Sequence, residues 1–334
     1  MSLESSTVSS SIEAIRRELS RTKLSTSTLN LIVWIDDPGR RDWVLERAAM
    51  LNEKHPSFML VFDHTGAHAG EATVTTAAHD TQAAFSVQGE RVDVDVSGAD
   101  ATTVVGYVTA LTSPSVPTVM WWTGINEASR EIFYALLPFV QTLVFDSSGG
   151  ARDESALCSL VAFHREHRDV VLRDLAWMRL RPWQDMIASF FDDDPDLVAE
   201  AYAIRKLHIA SGSDSEAFYL AGWLASRLGW EATGPNAFTD GRGETVRFER
   251  GREGEIRRVQ SVCLDSDTSW YHGEVTDDPG VVRVWSEGEH KREPRLFPLQ
   301  AIDNASLLER AILEPGSDDL FETALRSTGT LLGC

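Results

Sequence analysis

Cysteine is scarce in this chain, and basic residues are outnumbered. The 334 residues hold three cysteines, Cys158, Cys263 and Cys334, widely spaced and odd in number. That usage argues against a disulfide-stapled scaffold and fits a reducing, cytoplasmic setting. Lys plus Arg number 31 against 51 for Asp plus Glu, a formal charge of -20 with a sequence pI near 4.8. A field of that sign repels phosphate backbones and anionic headgroups over a Debye length of about 8 Å. Nucleic-acid binding and membrane-surface binding are excluded as main functions. Long apolar runs are missing too: none approaches the roughly 20 residues that span a bilayer. The Ser/Thr-rich start, Met1 to Asn30, lacks the apolar core of a signal peptide.

Familiar catalytic signatures are equally absent. There is no Gly-x-Ser-x-Gly elbow, which removes the commonest cue for an α/β-hydrolase nucleophile. Gly149-Gly150 follows a predicted strand and resembles an anion-cradling turn, but its spacing is neither a dinucleotide fingerprint nor a Walker loop. A simple strand-to-helix turn accounts for it. His64 and His68 beside Asp63, and His164 with His167, could each bind a metal, yet neither set has a second cluster at ligand spacing. Solvated histidines are the plainer reading. The run Asp192-Asp193-Asp194 before Pro195 is first of all a favourable helix start. The carboxylates Asp36, Asp37, Asp63 and Asp146 all follow predicted strands, where α/β sheets place ligand sites. Four carboxylates there favour cations over phosphate esters. No catalytic, cofactor-binding or metal-ligating set is expected.

What remains has an ordinary globular composition, 43% hydrophobic and 25% charged. The length predicts two domains. A short helix is expected near residues 10–19, from the capping-box spacing of Ser10 and Glu13 and the stripe Ile12, Ile15, Leu19, followed by a connector to residue 29. Short apolar strands are expected at Asn30–Ile35, Ser57–Phe62, Pro117–Trp122 and Thr142–Asp146. Helices alternate with them at about 40–54, 99–111 and, capped by Asn126, up to Gln141. Residues 71–97 alternate apolar and polar positions, which predicts half-buried antiparallel strands. Residues 30–150 therefore read as an α/β mixed-sheet domain. Residues 151–334 read as an α+β C-terminal domain. Helices dominate from about 153 to 230. The second runs from Asp174 to about Phe191 and is broken near Pro182, and a third spans Pro195 to Ala203. Another, opened by the capping-box pair Ser213 and Glu216 and ended by Gly229, carries a stripe from Ala217 to Leu228. Short strands follow to about 300, and the chain closes on a helix or two from Ser306.

Tryptophan is the unusual signal, with 10 residues, several of them paired: Trp121 with Trp122, Trp177 with Trp183, and Trp223 with Trp230. On a strand, Trp121 and Trp122 must point to opposite faces. Trp177 and Trp183 flank Arg179, Arg181 and Pro182, and Trp and Arg are the residues most enriched at binding hot spots. The alternative is that these indoles plug the gap between the two domains.

The segment Asp174-Leu175-Ala176-Trp177-Met178-Arg179-Leu180-Arg181-Pro182-Trp183 resembles the Asp-Leu-x-Trp-x-Arg-Leu-x-Pro-Trp signature of OpcA-type glucose-6-phosphate dehydrogenase assembly proteins. Further blocks agree in order: Ile12-Glu13, Asn30 to Val33, His55-Pro56-Ser57, Pro117 to Trp122, Phe145-Asp146-Ser147, and Gly222-Trp223-Leu224 with Ser226-Arg227-Leu228-Gly229-Trp230. Together they cover about residues 10 to 235. Gln184 departs from the basic residue usual after the signature. The chain also has no close cysteine pair, which argues against the thioredoxin control linked to cyanobacterial members, although distant cysteines can meet in space. The resemblance implies a non-enzymatic, cytoplasmic partner that binds glucose-6-phosphate dehydrogenase, favours its active oligomer and raises its affinity for glucose 6-phosphate, feeding NADPH production in the oxidative pentose phosphate pathway. Asp174, Trp177, Arg179, Leu180, Pro182 and Trp183 are then the expected partner-binding or domain-junction motif, with Trp223, Arg227 and Trp230 as a second. The rival is a sugar-phosphate-binding α/β enzyme or sensor that uses the strand-end crevice.

Overall fold

A computed structural model of the chain describes residues 5–19, 27–55, 57–66, 72–78, 88–124, 129–149, 154–192, 195–251, 258–299 and 304–334. Pro56, His68, Asn126, Gly150, Asp193 and Asp194 from the sequence reading lie outside them. The chain divides into two compact units, each drawn from separate stretches. The first comprises residues 1–145, 169–173 and 308–314; the second comprises 146–168, 174–307 and 315–334.

In the first unit, strands β1 (Asn30–Ile35), β2 (Phe58–Asp63), β3 (Ala72–Ala78), β4 (Gln88–Asp95), β5 (Thr118–Trp122), β6 (Thr142–Phe145) and β7 (Val171–Asp174) form one sheet. Helices α2 (Arg41–Lys54), α3 (Ala101–Leu111) and α4 (Arg130–Leu136) alternate with them. The sheet order is β3-β4-β2-β1-β5-β6-β7, parallel from β4 through β6. β3 joins antiparallel at the β4 edge. The alternating segment thus contains one antiparallel pair, but β4 is also a parallel strand on β2, which the alternation alone did not indicate. All residues of β1, β2 and β5 are buried, as expected of strands covered on both faces. Trp121 and Trp122 point opposite ways: Trp121 meets Trp43 of α2 edge-on, while Trp122 stacks on Trp34 at 5.0 Å and meets Phe133 of α4. Helix α1 (Ser5–Leu19) begins well before Ser10, so Ser10 lies inside it and is not its cap.

The second unit is built on an eight-stranded mixed sheet. Its strands are β8 (Ile204–Ser211), β9 (Glu231–Gly234), β10 (Ala237–Thr239), β11 (Thr245–Gly251), β12 (Val259–Ser266), β13 (Ser269–Val275), β14 (Val281–Gly288) and β15 (Arg292–Pro298). They lie in the order β15-β14-β13-β12-β8-β11-β10-β9. The central strand β8 falls between the helices expected at Pro195–Ala203 and from Ser213, where the sequence predicted no strand. Helices α5 (Glu154–Glu166), α6 (Leu175–Met178), α7 (Arg181–Ala188), α8 (Pro195–Ala201), α9 (Asp214–Leu228) and α11 (Asp319–Leu332) complete it, and α10 (Asn304–Leu313) has residues in both units. The helix expected from Asp174 is broken between α6 and α7, just before Pro182, which sits in the first turn of α7, where its missing N–H costs nothing. Ser213 caps α9 by accepting from the Glu216 N–H, and Gly229 closes it in the left-handed region at φ 68°. Gly222 brings α9 against α11: a Cβ there would lie 2.7 Å from the Ala324 Cα. Contrary to the expectation of unpaired thiols, Cys158 of α5 and Cys334 form a disulfide with Cα atoms 5.7 Å apart, and Cys263 stays free. Among the described residues, no helix is long and apolar enough to cross a membrane.

Candidate functional site: the tryptophan–arginine motif

Asp174 ends β7 and caps α6, a position that a short acceptor side chain suits. Its Oδ1 accepts from the Ala176 N–H at 2.9 Å and the Ser147 N–H at 3.1 Å, and its Oδ2 accepts from the Tyr219 hydroxyl at 2.9 Å. No part of Asp174 reaches solvent. Burial, reinforced by the nearby Asp146 charge, pushes its carboxyl up to about 6.

One turn on, Arg179 reaches into the same interior. Its two terminal nitrogens grip Asp146 at 2.7 and 3.1 Å, one of them also donates to the Ser148 hydroxyl at 2.6 Å, and Nε donates to Glu216 at 3.2 Å. This is the two-pronged geometry at which arginine surpasses lysine. Burial pushes Asp146 up, but the guanidinium overrides it and holds the carboxyl below its ordinary value. Glu216 is pushed up by burial despite Arg179 and Arg258, and its second oxygen accepts from the Val259 N–H at 3.1 Å. Glu216 is therefore not the reciprocal half of a capping box; its side chain is spent on the arginines.

The indoles are buried in the second unit. Trp177 donates from Nε1 to Asp318 at 2.8 Å and lies against Phe321 and Tyr219, with centroids at 5.6 and 6.3 Å. Trp183 is 5% exposed, and Leu180 and Gln184 are buried beside it in sequence. Trp223 is buried in α9, and Trp230 packs on Phe238 at 5.7 Å. Pro182 is half-buried and Arg227 is exposed. The structure thus brings Asp174, Trp177 and Arg179 into one network, whereas Trp223, Arg227 and Trp230 belong to a separate stretch of α9 and its end. The sequence reading did not join Glu216, Tyr219, Asp318 and Phe321 to this network. Asp146 was legible as a strand-end carboxylate, and the Ser213–Glu216 pair as a helix start, but their meeting at Arg179 is a product of the fold.

The other strand-end carboxylates do not converge. Asp63 is held by Arg41 and by the Thr65 N–H and hydroxyl at 2.9 and 2.6 Å, and Asp37 accepts from the Gly39 N–H at 2.9 Å. His64 stacks on Trp34, and His164 faces Glu322 at 3.9 Å. Among the described residues, no group of three or more His, Cys, Asp or Glu could hold a metal ion.

Two family models match the chain. One describes the N-terminal domain of the glucose-6-phosphate dehydrogenase subunit and covers residues 48–162. The other describes the C-terminal domain of the same glucose-6-phosphate dehydrogenase subunit and covers residues 170–325. Among curated relatives, the OxPP cycle protein OpcA of Synechocystis is 32% identical over 127 residues, 37% of this chain and 26% of the relative. The protein of that name in Nostoc punctiforme is 30% identical over 128 residues, 38% of this chain and 27% of the relative. The match thus spans about a quarter of these relatives' length. Among solved structures, an NAD binding oxidoreductase from Klebsiella pneumoniae aligns with a TM-score of 0.50 at 10% identity, covering 92% of this chain and 95% of that one.

That likeness is one of fold, and it implies a dinucleotide site that can be tested on the residues. The parallel order β4-β2-β1-β5-β6-β7 corresponds to the dinucleotide-binding sheet, whose first strand should feed a glycine-rich turn that admits a pyrophosphate. Here β1 feeds Asp36-Asp37-Pro38-Gly39-Arg40. Asp36 fills the approach to the next strand end, since a Cβ on Gly124 would lie 2.0 Å from its Oδ1. Arg40 spans to the Thr123 carbonyl at 3.2 Å. Asp63, at the end of β2 where a ribose would seek an acceptor, is taken by Arg41 and Thr65. The residues present do not fit NAD or NADP.

Proposed function

Because this chain belongs to the family of OpcA-type glucose-6-phosphate dehydrogenase assembly proteins, we propose that it is a non-catalytic partner of that enzyme. It binds the dehydrogenase, favours the active oligomer and raises the affinity for glucose 6-phosphate. The observation that carries the non-catalytic part is the β1 turn: a dehydrogenase-like sheet whose phosphate-binding approach is filled by Asp36, Asp37 and Arg40. A frame without room for the hydride carrier acts by binding. The physical form of such activation is simple. A partner that prefers the competent conformation of the enzyme shifts the population toward it, by no more than its differential affinity for the two states.

Asp174, Trp177, Arg179, Leu180, Pro182 and Trp183 serve this role from within. The network of Asp174, Trp177 and Arg179 fixes α6 and the turn into α7 against Glu216, Tyr219 and Asp318, so that the surface offered to the enzyme is held in one shape. Arg227 is exposed on α9, and that exposure supports assigning it, of the two motifs, to contact with the partner.

The test is a substrate titration of the purified dehydrogenase with and without this chain. A several-fold fall in KM for glucose 6-phosphate is expected, and an unmoved saturation curve rejects the proposal. Calorimetry of the isolated chain with glucose 6-phosphate and with NADP+ separates this reading from a sugar-phosphate enzyme or sensor, since the partner role expects no heat from either.

A further inference from the structure

Among the described residues, the eight-stranded sheet of the second unit is covered on one face only. On that face, Phe218 of α9 meets Phe248, Phe190 and Phe191 meet Tyr271, and the Met186 side chain closes over Gly273. The residues between them along each strand point the other way. The register aligns these in rows across β11, β8, β12, β13 and β14. The middle row runs Glu249, His208, Cys263, His272, Trp285, with His272 stacked on Trp285 at 4.7 Å. Trp270 on this face is 44% exposed, and Leu296 of β15, opposite Arg283, is 69% exposed.

We infer that this open sheet face is an interface between two copies of the chain, stacked about a two-fold axis that follows the row from His208 to Trp285. Three observations choose a second copy as the occupant. Size is the first: six strands at about 4.8 Å and five residues at about 3.3 Å outline roughly 500 Å². With side-chain relief, that approaches the about 800 Å² that each partner of a standard interface contributes.

Charge is the second. The whole chain carries -20, so two copies repel wherever acidic surface meets acidic surface. The rows flanking the axis hold three cations, Arg247, Lys206 and Arg283, and three carboxylates, Asp265, Glu274 and Glu287, so these charges balance, and Glu249 in the axis row is paired with Lys206 at 2.9 Å. Like copies meet across these rows without net repulsion.

Self-complementarity is the third. A two-fold interface sets residue i of one copy on j of the other, and j on i. Rotation about the middle row keeps each strand over its counterpart and exchanges the two flanking rows. On β14 that sets Glu287 over Arg283 twice, and on β13 Trp270 over Glu274 twice. Along the axis, each Trp285, each Cys263 and each Glu249 faces its own copy, the last with its charge met by Lys206 of the same chain.

The experiment is sedimentation velocity on the purified full chain alone, without dehydrogenase, so that its failure says nothing about activation. A dimer at micromolar concentration is expected. Arg283 and Glu287 are both exposed, so their variants keep the fold, which circular dichroism checks. Arg283→Glu sets like charges over each other and should raise the dissociation constant at least tenfold; the swapped pair Arg283→Glu with Glu287→Arg should restore the dimer. A monomeric wild-type chain, a dimer indifferent to Arg283→Glu, or a loss that the swap does not repair overturns the inference.

Discussion

Asp174 is a carboxyl that the fold needs as an acceptor but holds where a charge is costly. Unfolded, it ionises near 3.8; folded, burial beside Asp146 holds its proton up to about 6. The folded chain therefore binds more protons between those values, and stability from this group, complete below the lower value, is lost as pH rises through the upper one. The gap corresponds to a difference on the order of 3 kcal/mol. Asp174→Asn keeps the oxygen that receives Ala176 and Ser147 and removes the charge. Its melting temperature should match wild type below pH 4 and exceed it by several degrees at pH 7.5. A thermal-melt series across that range checks it, and a constant offset at all pH values contradicts the burial argument.

The motif residues divide by exposure, and their substitutions should divide likewise. Trp183 is buried, so Trp183→Ala opens a cavity and should cost about 3–5 kcal/mol, read as a large fall in melting temperature. Arg227 is exposed, and Arg227→Glu should leave melting within about 0.5 kcal/mol of wild type while weakening capture of the dehydrogenase. If Trp183→Ala melts normally, the buried placement is wrong. If Arg227→Glu binds the enzyme unchanged, this arginine is no contact. Sequence alone put Trp183 in the first motif and Arg227 in the second without telling core from contact, because a Trp or Arg at a hot spot and one in a core share the same chemistry. Only burial separates them.

Elements explain what was legible and what was not. β1, β2, β5 and β6 are continuous apolar runs between turns, and each was readable at its place. β8 was hidden because its buried residues Ile204, Leu207 and Ile209 do not alternate: the register with β12 shifts between Asp265 and Ser266, leaving two residues between the first two. Between two predicted helices, that spacing gives no period of two to read. β7 has four residues and passes straight into a cap, too short for any period to emerge. The Cys158–Cys334 bridge was equally invisible, since 176 residues separate partners that α5 and the end of α11 bring together. Denatured, unreduced protein should therefore titrate one thiol, Cys263, and reduced protein three. Closing so long a loop restricts the unfolded chain, so reduction should cost about 2–4 kcal/mol, visible as a lower denaturant midpoint. Three thiols before reduction would show the bridge unformed.

At the scale of the whole molecule, the sequence disclosed a mixed α/β sheet but not its dinucleotide-binding order. The glycine fingerprint that signals that order is the part the chain lacks, and strand order leaves no local trace. The same departure supports the partner role, and thermodynamics then fixes a relation that needs no interface residue to be known. If this chain raises the dehydrogenase's affinity for glucose 6-phosphate by some factor, the sugar phosphate must raise the enzyme's affinity for this chain by the same factor. A tenfold effect amounts to about 1.4 kcal/mol in either direction. Immobilised dehydrogenase should therefore bind this chain with a dissociation constant that falls, as glucose 6-phosphate is added, to a limit set by the ratio of substrate dissociation constants without and with the chain. A dissociation constant that falls with substrate marks coupling between the substrate site and the binding of this chain, and the two ratios must then agree. A chain whose affinity ignores the substrate, yet which still assembles the enzyme, would be a scaffold with no influence on the substrate site.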